Sequence, residues 1–233
     1  MRKKYTMKAN VKSIILMLMI AICQAAWADV EINELNFPDV HFRYWILSEP
    51  YGKDGILTDK EIAEIKTLDI PADLYIRSLS GIEHFTSLIH LICPDNILTS
   101  IDLSKNTALK YLTCCGNRLT KLDVSHNTEL ISIACFGNKL TSLDLSNNKK
   151  LKELWCMFNQ IKGRAMDELV NSLPNVMRTD SQVEKTFLLM RYSSKNDHTD
   201  NVMTKDQVAA AKAKGWNPVC FGTNKNYTDY LGE

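Results

Sequence analysis

The chain has 233 residues, 24% charged and 45% hydrophobic, ordinary globular values that exclude a disordered or collagen-like chain and suit one capped domain. The formal net charge of +1 is misleading, because the first 28 residues hold Arg2, Lys3, Lys4, Lys8 and Lys12 and no acid. Without them 23 basic residues face 27 acidic ones, a balance of −4, which speaks against a nucleic-acid partner, whose phosphates need a basic face.

In chain order, the basic stretch MRKKYTMKANVK comes first, then an apolar run IILMLMIAIC and the small-residue site AWA ending at Ala28. That is the order of a cleaved secretory signal. The run is shorter than the ~20 residues of a spanning helix, and no other segment reads as a span. Cys23 follows Ile22, whereas lipid acylation needs a small residue there. Residues 1–28 are therefore expected to be a signal peptide. The mature chain is expected to be exported, whether secreted, at the cell surface or in the periplasm.

Residues 29–64 read as a helix–turn–helix N-terminal cap. Phe37 to Leu47 has helical spacing, with Pro38 at a first helical position and Phe42, Trp45 and Ile46 on one face. Thr58 and Glu61 make a capping box. DGILTDKE also looks like the second half of an EF-hand loop, with Asp54, Gly55 and Glu61 in register. The two earlier ligand places hold Pro50 and Gly52, which lack carboxylates. The cap reading is preferred to a calcium site.

From residue 65 to 162 the chain repeats. LTSIDLSKNTALKYLTCCGNR from Leu98, LTKLDVSHNTELISIACFGNK from Leu119 and LTSLDLSNNKKLKELWCMFNQ from Leu140 align without a gap. The period of 21 makes columns of Leu88, Leu109, Leu130 and Leu151; of Leu91, Leu112, Ile133 and Leu154; of Cys93, Cys114, Cys135 and Cys156; and of Asn96, Asn117, Asn138 and Asn159. Such a period marks a solenoid of stacked units. This pattern resembles the leucine-rich-repeat family, L-x-x-L-x-L-x-x-N with Cys allowed at the third apolar place. The nested 10 and 11 resemble the variant sometimes called IRREKO, common in exported bacterial, internalin-like proteins. In a strand the alternate apolar residues of L-x-C point inward, and stacking buries what one unit cannot. About five turns are expected. The Asn columns are read as ladders that pair buried backbone groups.

Residues 163–233 read as a strand–helix–strand C-terminal cap. GRAMDELVNSL from Gly163 is helical and stops at Pro174. KTFLLMRY, Lys185 to Tyr192, is a strand. Thr204 and Gln207 cap an alanine-rich helix ended by Gly215, and PVCFG from Pro218 is a last strand. Parallel pairing would let these strands extend the solenoid sheet. The fold class is therefore α/β: a leucine-rich-repeat solenoid of parallel strands between a helical N-terminal cap and a mixed C-terminal cap.

Catalytic chemistry is hard to find. The cysteine column follows the repeat period rather than zinc spacing. Neighbouring rungs could in geometry form disulfides, but reduced core cysteines are the preferred reading. Cys115 should face outward, and Cys220 has no evident partner. His41, His84, His90, His126 and His198 share no ligand spacing, and no hydrolase or nucleotide motif is present. Asn226-Tyr227-Thr228 is a glycosylation sequon by pattern only.

The outward strand residues form columns: His90, Tyr111, Ser132, Glu153; Ile92, Thr113, Ala134, Trp155; and Pro94, Cys115, Phe136, Met157. Tyr111, Phe136, Trp155, Met157 and Phe158 are the candidate ligand-binding residues, because exposed aromatics and Met supply contact area. An equal alternative is that the C-terminal helix buries Trp155 and Phe158. The columns of Thr99, Thr120 and Thr141, of Asp102, Asp123 and Asp144, and of Ser104, Ser125 and Ser146 read as a solvated face, or else as a cation or sugar site. A monomeric, non-enzymatic binder of a protein or peptide is expected, without cofactor or metal; a glycan ligand is the alternative. N-terminal sequencing of exported protein should begin at Asp29. Acylated Cys23, or Met1 retained on membranes, contradicts that processing.

Overall fold

The computed structural model describes residues 29–176, 187–191, 201–221 and 227–229. The signal segment, the sequon's Asn226 and His198 lie outside them. β1 (Val30–Glu31) and β2 (Ile56–Leu57) form a two-stranded antiparallel clasp. Between them lies α1 (Val40–Ser48), which buries Phe42, Trp45 and Ile46. The helix starts later than its apolar spacing suggests. Asp39, in extended backbone, accepts from His41 and Phe42 amides and is the N-cap, so Pro38 stands outside the helix. The other oxygen of Asp39 accepts from the Arg77 and Ser78 amides at 2.8 and 3.1 Å, tying this cap to the start of the solenoid. α2 (Asp59–Glu64) opens on the reciprocal Thr58–Glu61 capping box.

The main sheet has eight strands. β3 (Thr67–Asp69), β4 (His90–Ile92), β5 (Tyr111–Thr113), β6 (Ser132–Ala134) and β7 (Glu153–Trp155) are parallel, with Leu68, Leu91, Leu112, Ile133 and Leu154 in one register. β4 to β7 are four regular rungs, and β3 is the irregular one before them. A 3-10 turn at Ile82–His84 and the Asp-x-Ser turns close each loop back to the sheet. The sheet continues through β8 (Phe187–Arg191) and β9 (Asn217–Phe221), both parallel, and ends with β10 (Tyr227–Asp229) antiparallel to β9. α3 (Arg164–Ser172) and α4 (Lys205–Ala213) pack on each other. Their buried Met166, Leu169, Val170, Val208 and Ala211 join the same core as the leucine columns.

Two buried asparagine columns hold successive rungs together. Asn117, Asn138 and Asn159 each accept from the amide of Leu98, Leu119 or Leu140 at 2.9–3.0 Å. Each also donates to the carbonyl of Cys93, Cys114 or Cys135 in the preceding rung at 3.0 Å. Asn106, Asn127 and Asn148 sit on the other side and donate to carbonyls of the previous unit at 2.9–3.0 Å. The spacing pattern did not single out Asn201, yet it adds another rung to the first ladder. It accepts from Ile161 N at 2.8 Å and donates to Cys156 O at 2.7 Å. Asn201→Ala should remove both bonds and leave the last turn's backbone unpaired, lowering stability by ~1–3 kcal/mol; equilibrium denaturation measures it.

Cys93, Cys114, Cys135 and Cys156 are buried within this core. Cys115, expected outward, is buried as well; its rung neighbours in the column are Pro94 and Phe136, and a thiol is small enough to be covered there. Burial pushes the Cys93 and Cys156 thiols up from 9.0 to about 12, and those of Cys114 and Cys135 well above 9.0. These groups are neutral in the folded state. Their contribution to stability is full below pH 9 and is lost as pH rises toward about 12, because the unfolded thiols ionise first. Denaturant midpoints under reducing conditions should therefore fall above pH 9. The slope approaches ~1.4 kcal/mol per pH unit for each thiol, and Cys135→Ala should reduce it.

Candidate functional site

The strand registers place the outward columns side by side, one strand spacing of ~4.8 Å apart. On the first column the His90 and Tyr111 rings stack, with centroids 4.5 Å apart and planes at 8°, while Ser132 Oγ donates to Glu153 Oε2 at 2.9 Å. Tyr111 remains 38% exposed. Farther along the stack Phe136 and Trp155, both partly exposed, pack against Met157, which is buried. The structure thus joins Phe136, Trp155 and Met157 in one patch. Tyr111 belongs to a separate stack with His90, a partner visible in its column but not in any motif.

Phe158 stands at the bend that follows the strand and is 37% exposed. Neither it nor Trp155 is buried. The buried residues of α3 and α4 sit in the inward core, apart from the Phe136–Trp155–Met157 patch. The bend position is left-handed in every regular rung: Asp95 at φ 47°, Gly116 at 63°, Gly137 at 66° and Phe158 at 55°. Glycine suits two of these bends, and a Cβ on Gly116 would also collide with the Asp95 carboxylate. Phe158 adopts the same φ with a bulky side chain. Two residues beyond Gly116 and Gly137 stand Arg118 and Lys139, both exposed, and neither makes an ion pair among the described residues.

The opposite face is built differently. Asp102, Asp123 and Asp144 each accept from the amide of Ser104, Ser125 or Ser146 at 2.9 Å, which makes each Asp-x-Ser an Asx turn. Hydrogen bonding from the same serines holds the Asp102 and Asp123 carboxyls below their usual value. A shallow groove of about 390 Å³ between two such turns is lined by Lys121, Asp123, Ser125, Asp144, Ser146 and Asn147, among others. Its aspartates are engaged in the backbone rather than gathered on a ligand. In the N-terminal cap, Glu61 accepts from Thr58 N and Oγ1, and Asp54 accepts from Ile56 N. Among the described residues no group of three or more His, Cys, Asp or Glu could hold a metal ion.

Two measurements separate these roles. Ile133 is fully buried, and Ile133→Ala should cost ~2–5 kcal/mol. Phe136→Ala and Trp155→Ala should cost well under half of that by chemical denaturation; equal losses would make the aromatics core. Calorimetric titration should detect no calcium binding tighter than about millimolar, and chelator should leave the melting temperature unchanged.

No protein-family model and no curated protein matches the sequence. Among solved structures the chain is similar to the functional domain of InlJ from Listeria monocytogenes, described as including a cysteine ladder. The identity is 25% and the TM-score 0.44, over 79% of this chain and 50% of that one. It is also similar to the internalin InlF from Listeria monocytogenes, at 16% identity and TM-score 0.54, over 82% of this chain and 58% of that one. The chain therefore spans little more than half the length of these proteins. Parallel strands at a 21-residue spacing, laddered asparagines and the likeness to InlF in fold together give the chain the leucine-rich-repeat solenoid architecture of the internalins.

Proposed function

We propose that this is an exported, monomeric, non-catalytic protein that binds a protein or peptide partner on the outward face of β4 to β7. One observation carries the reading: Phe136 and Trp155 leave apolar surface partly uncovered at the outward edge of the parallel sheet, over the buried Met157. Apolar surface that the core does not use marks an interaction site. Trp155 on β7, with Phe136 and Met157 just past the strand ends, packs into one cluster before a partner arrives, which lowers the ordering cost of binding. The opposite face offers aspartates already committed to turns, and so favours binding less.

The layout we infer is a signal peptide at 1–28, the N-terminal cap at 29–64, the solenoid at 65–162 and the C-terminal cap at 163–233. Export rests on the charged, apolar and small-residue order of the first segment. Among the described residues no helix is long and apolar enough to cross a membrane. A glycan of the cell envelope or extracellular space is the second reading, supported by the stacked His90–Tyr111 pair, since flat rings also hold sugars.

The test is a pull-down from envelope and host-surface protein fractions with the mature chain, run beside an arrayed-glycan screen. Capture of a protein that Trp155→Ala and Phe136→Ala both abolish is the expected result. A glycan signal lost in Tyr111→Ala would favour the second reading. Capture unaffected by all three substitutions would overturn the assignment of the face.

A further inference from the structure

We propose that the outward face is charge-polarised along the stack, and that it selects a partner segment in which basic residues, carboxylates and an apolar anchor follow one another in that order. This rests on the reading of the outward face given above, and it gives the partner an order as well as a composition.

The strand exits form a continuous edge. Each bend donates its amide to the next rung: Asp73 to Asp95 O, Asp95 to Cys115 O, Gly116 to Phe136 O and Gly137 to Met157 O, at 2.9–3.0 Å. Charge divides along this edge. On the rungs of β3 and β4 the outward and bend positions carry Asp69, Asp73 and Asp95, all exposed. On the rungs of β5 and β6 the bends are glycine, and two residues beyond them stand the exposed Arg118 and Lys139. The border lies at Gly116, whose missing Cβ leaves room for the Asp95 carboxylate against that bend. None of these five charged groups makes an ion pair among the described residues. Asp95 and Arg118, on neighbouring rungs, offset one another in part. Asp69 and Asp73 lie beyond Asp95, and Lys139 lies beyond Arg118, so the two ends keep opposite sign.

The remaining charges of the face set no such direction. Lys66, Lys110 and Lys152 recur at the entries of β3, β5 and β7, and Glu153 accepts from Ser132 Oγ. Arg77 and Lys162 begin the other half of their units, in the column of Thr99, Thr120 and Thr141. At the end of the stack the Phe136–Trp155–Met157 cluster supplies apolar contact. From β3 to β7 a partner therefore meets carboxylates first, then cations, then the aromatic patch. Four strand spacings separate β3 from β7, about 19 Å, and a heptapeptide in extended form covers that length at ~3.3 Å per residue. A segment with its bases over β3 and β4 and its acids over β5 and β6 meets opposite charge throughout. The same residues with bases and acids exchanged meet like charge at both places.

The mature chain would be titrated by fluorescence anisotropy with two labelled heptapeptides of one composition, Lys-Lys-Gly-Glu-Glu-Gly-Trp and Glu-Glu-Gly-Lys-Lys-Gly-Trp. Trp anchors both at the aromatic patch, so only the order of charge differs. The first should bind roughly tenfold more tightly at low salt, and the difference should shrink as salt rises. The paired change Asp69→Lys with Lys139→Glu should remove most of that preference without lowering the melting temperature, since both side chains are exposed. The milder Asp73→Asn and Arg118→Gln should each narrow it. Trp155→Ala should weaken both peptides. Equal binding of the two peptides, a preference for the second, or a preference that survives the paired change and both milder ones would overturn the proposal. Equal binding that Trp155→Ala nonetheless abolishes would leave the face standing and remove this inference alone. Absence of binding by both peptides would refute the partner chemistry, leaving the broader reading to the pull-down.

Discussion

A buried side-chain amide that bonds the backbone of the neighbouring rung is the interaction on which the rest depends. Leucine columns supply burial, but burial has no direction and would tolerate a slipped stack. The asparagines remove that freedom. Each one at the strand exit accepts from one amide and donates to a carbonyl of the rung before it, so a shift by one residue would strand several buried polar groups at once. Register, and with it the alternation of inward and outward residues, follows from this pairing. The same constraint makes the outward face a lattice: whatever occupies equivalent positions in the sequence stands one strand spacing apart in space.

Two halves of each unit use that lattice differently. On the Asp/Ser half, side-chain oxygens are consumed within their own turns, and the surface is polar because the turns require it. On the strand half, the outward positions carry little structural obligation. Ser132, Thr113 and Ala134 serve there as readily as Tyr111 or Trp155. Large apolar residues at such positions pack on one another, as Tyr111 does on His90 and Trp155 on Met157, and they are the surface the proposed binding face would use. Asp39 shows the opposite economy at the N-terminal end, where one carboxylate caps a helix and docks it on the solenoid.

Much of the architecture was legible because its causes are periodic. A leucine that must face the core in every rung prints itself every 21 residues, and so do the asparagines and cysteines. The capping boxes at Thr58 and Thr204 were legible too, because both partners lie within one helical turn. What escaped had causes outside that local register. Asp39 begins α1 through its own side chain, whereas apolar spacing alone pointed three residues earlier. Cys115 is buried by neighbours on other rungs. β10 returns antiparallel after the period has ended. At the candidate site, the outward positions of Tyr111, Phe136 and Trp155 followed from alternation. The stacking of Tyr111 on His90 and the burial of Met157 did not, because both depend on which neighbours face each other across the sheet. Alignment with Gly116 and Gly137 could have hinted at the backbone of Phe158.

Asn201 stands 42 residues after Asn159, two whole periods, although α3 and β8 intervene. The C-terminal cap therefore keeps time with the solenoid while departing from its sequence. The Asn201 attachment is made chiefly to a rung's backbone, which every unit presents alike. Growth or loss of whole 21-residue units would leave both docking surfaces intact, whereas an insertion of any other length inside the repeats would put the ladder out of phase. The solenoid is in that sense an adjustable ruler with fixed end-stops. The length of its outward face can vary by units without the caps having to be reinvented.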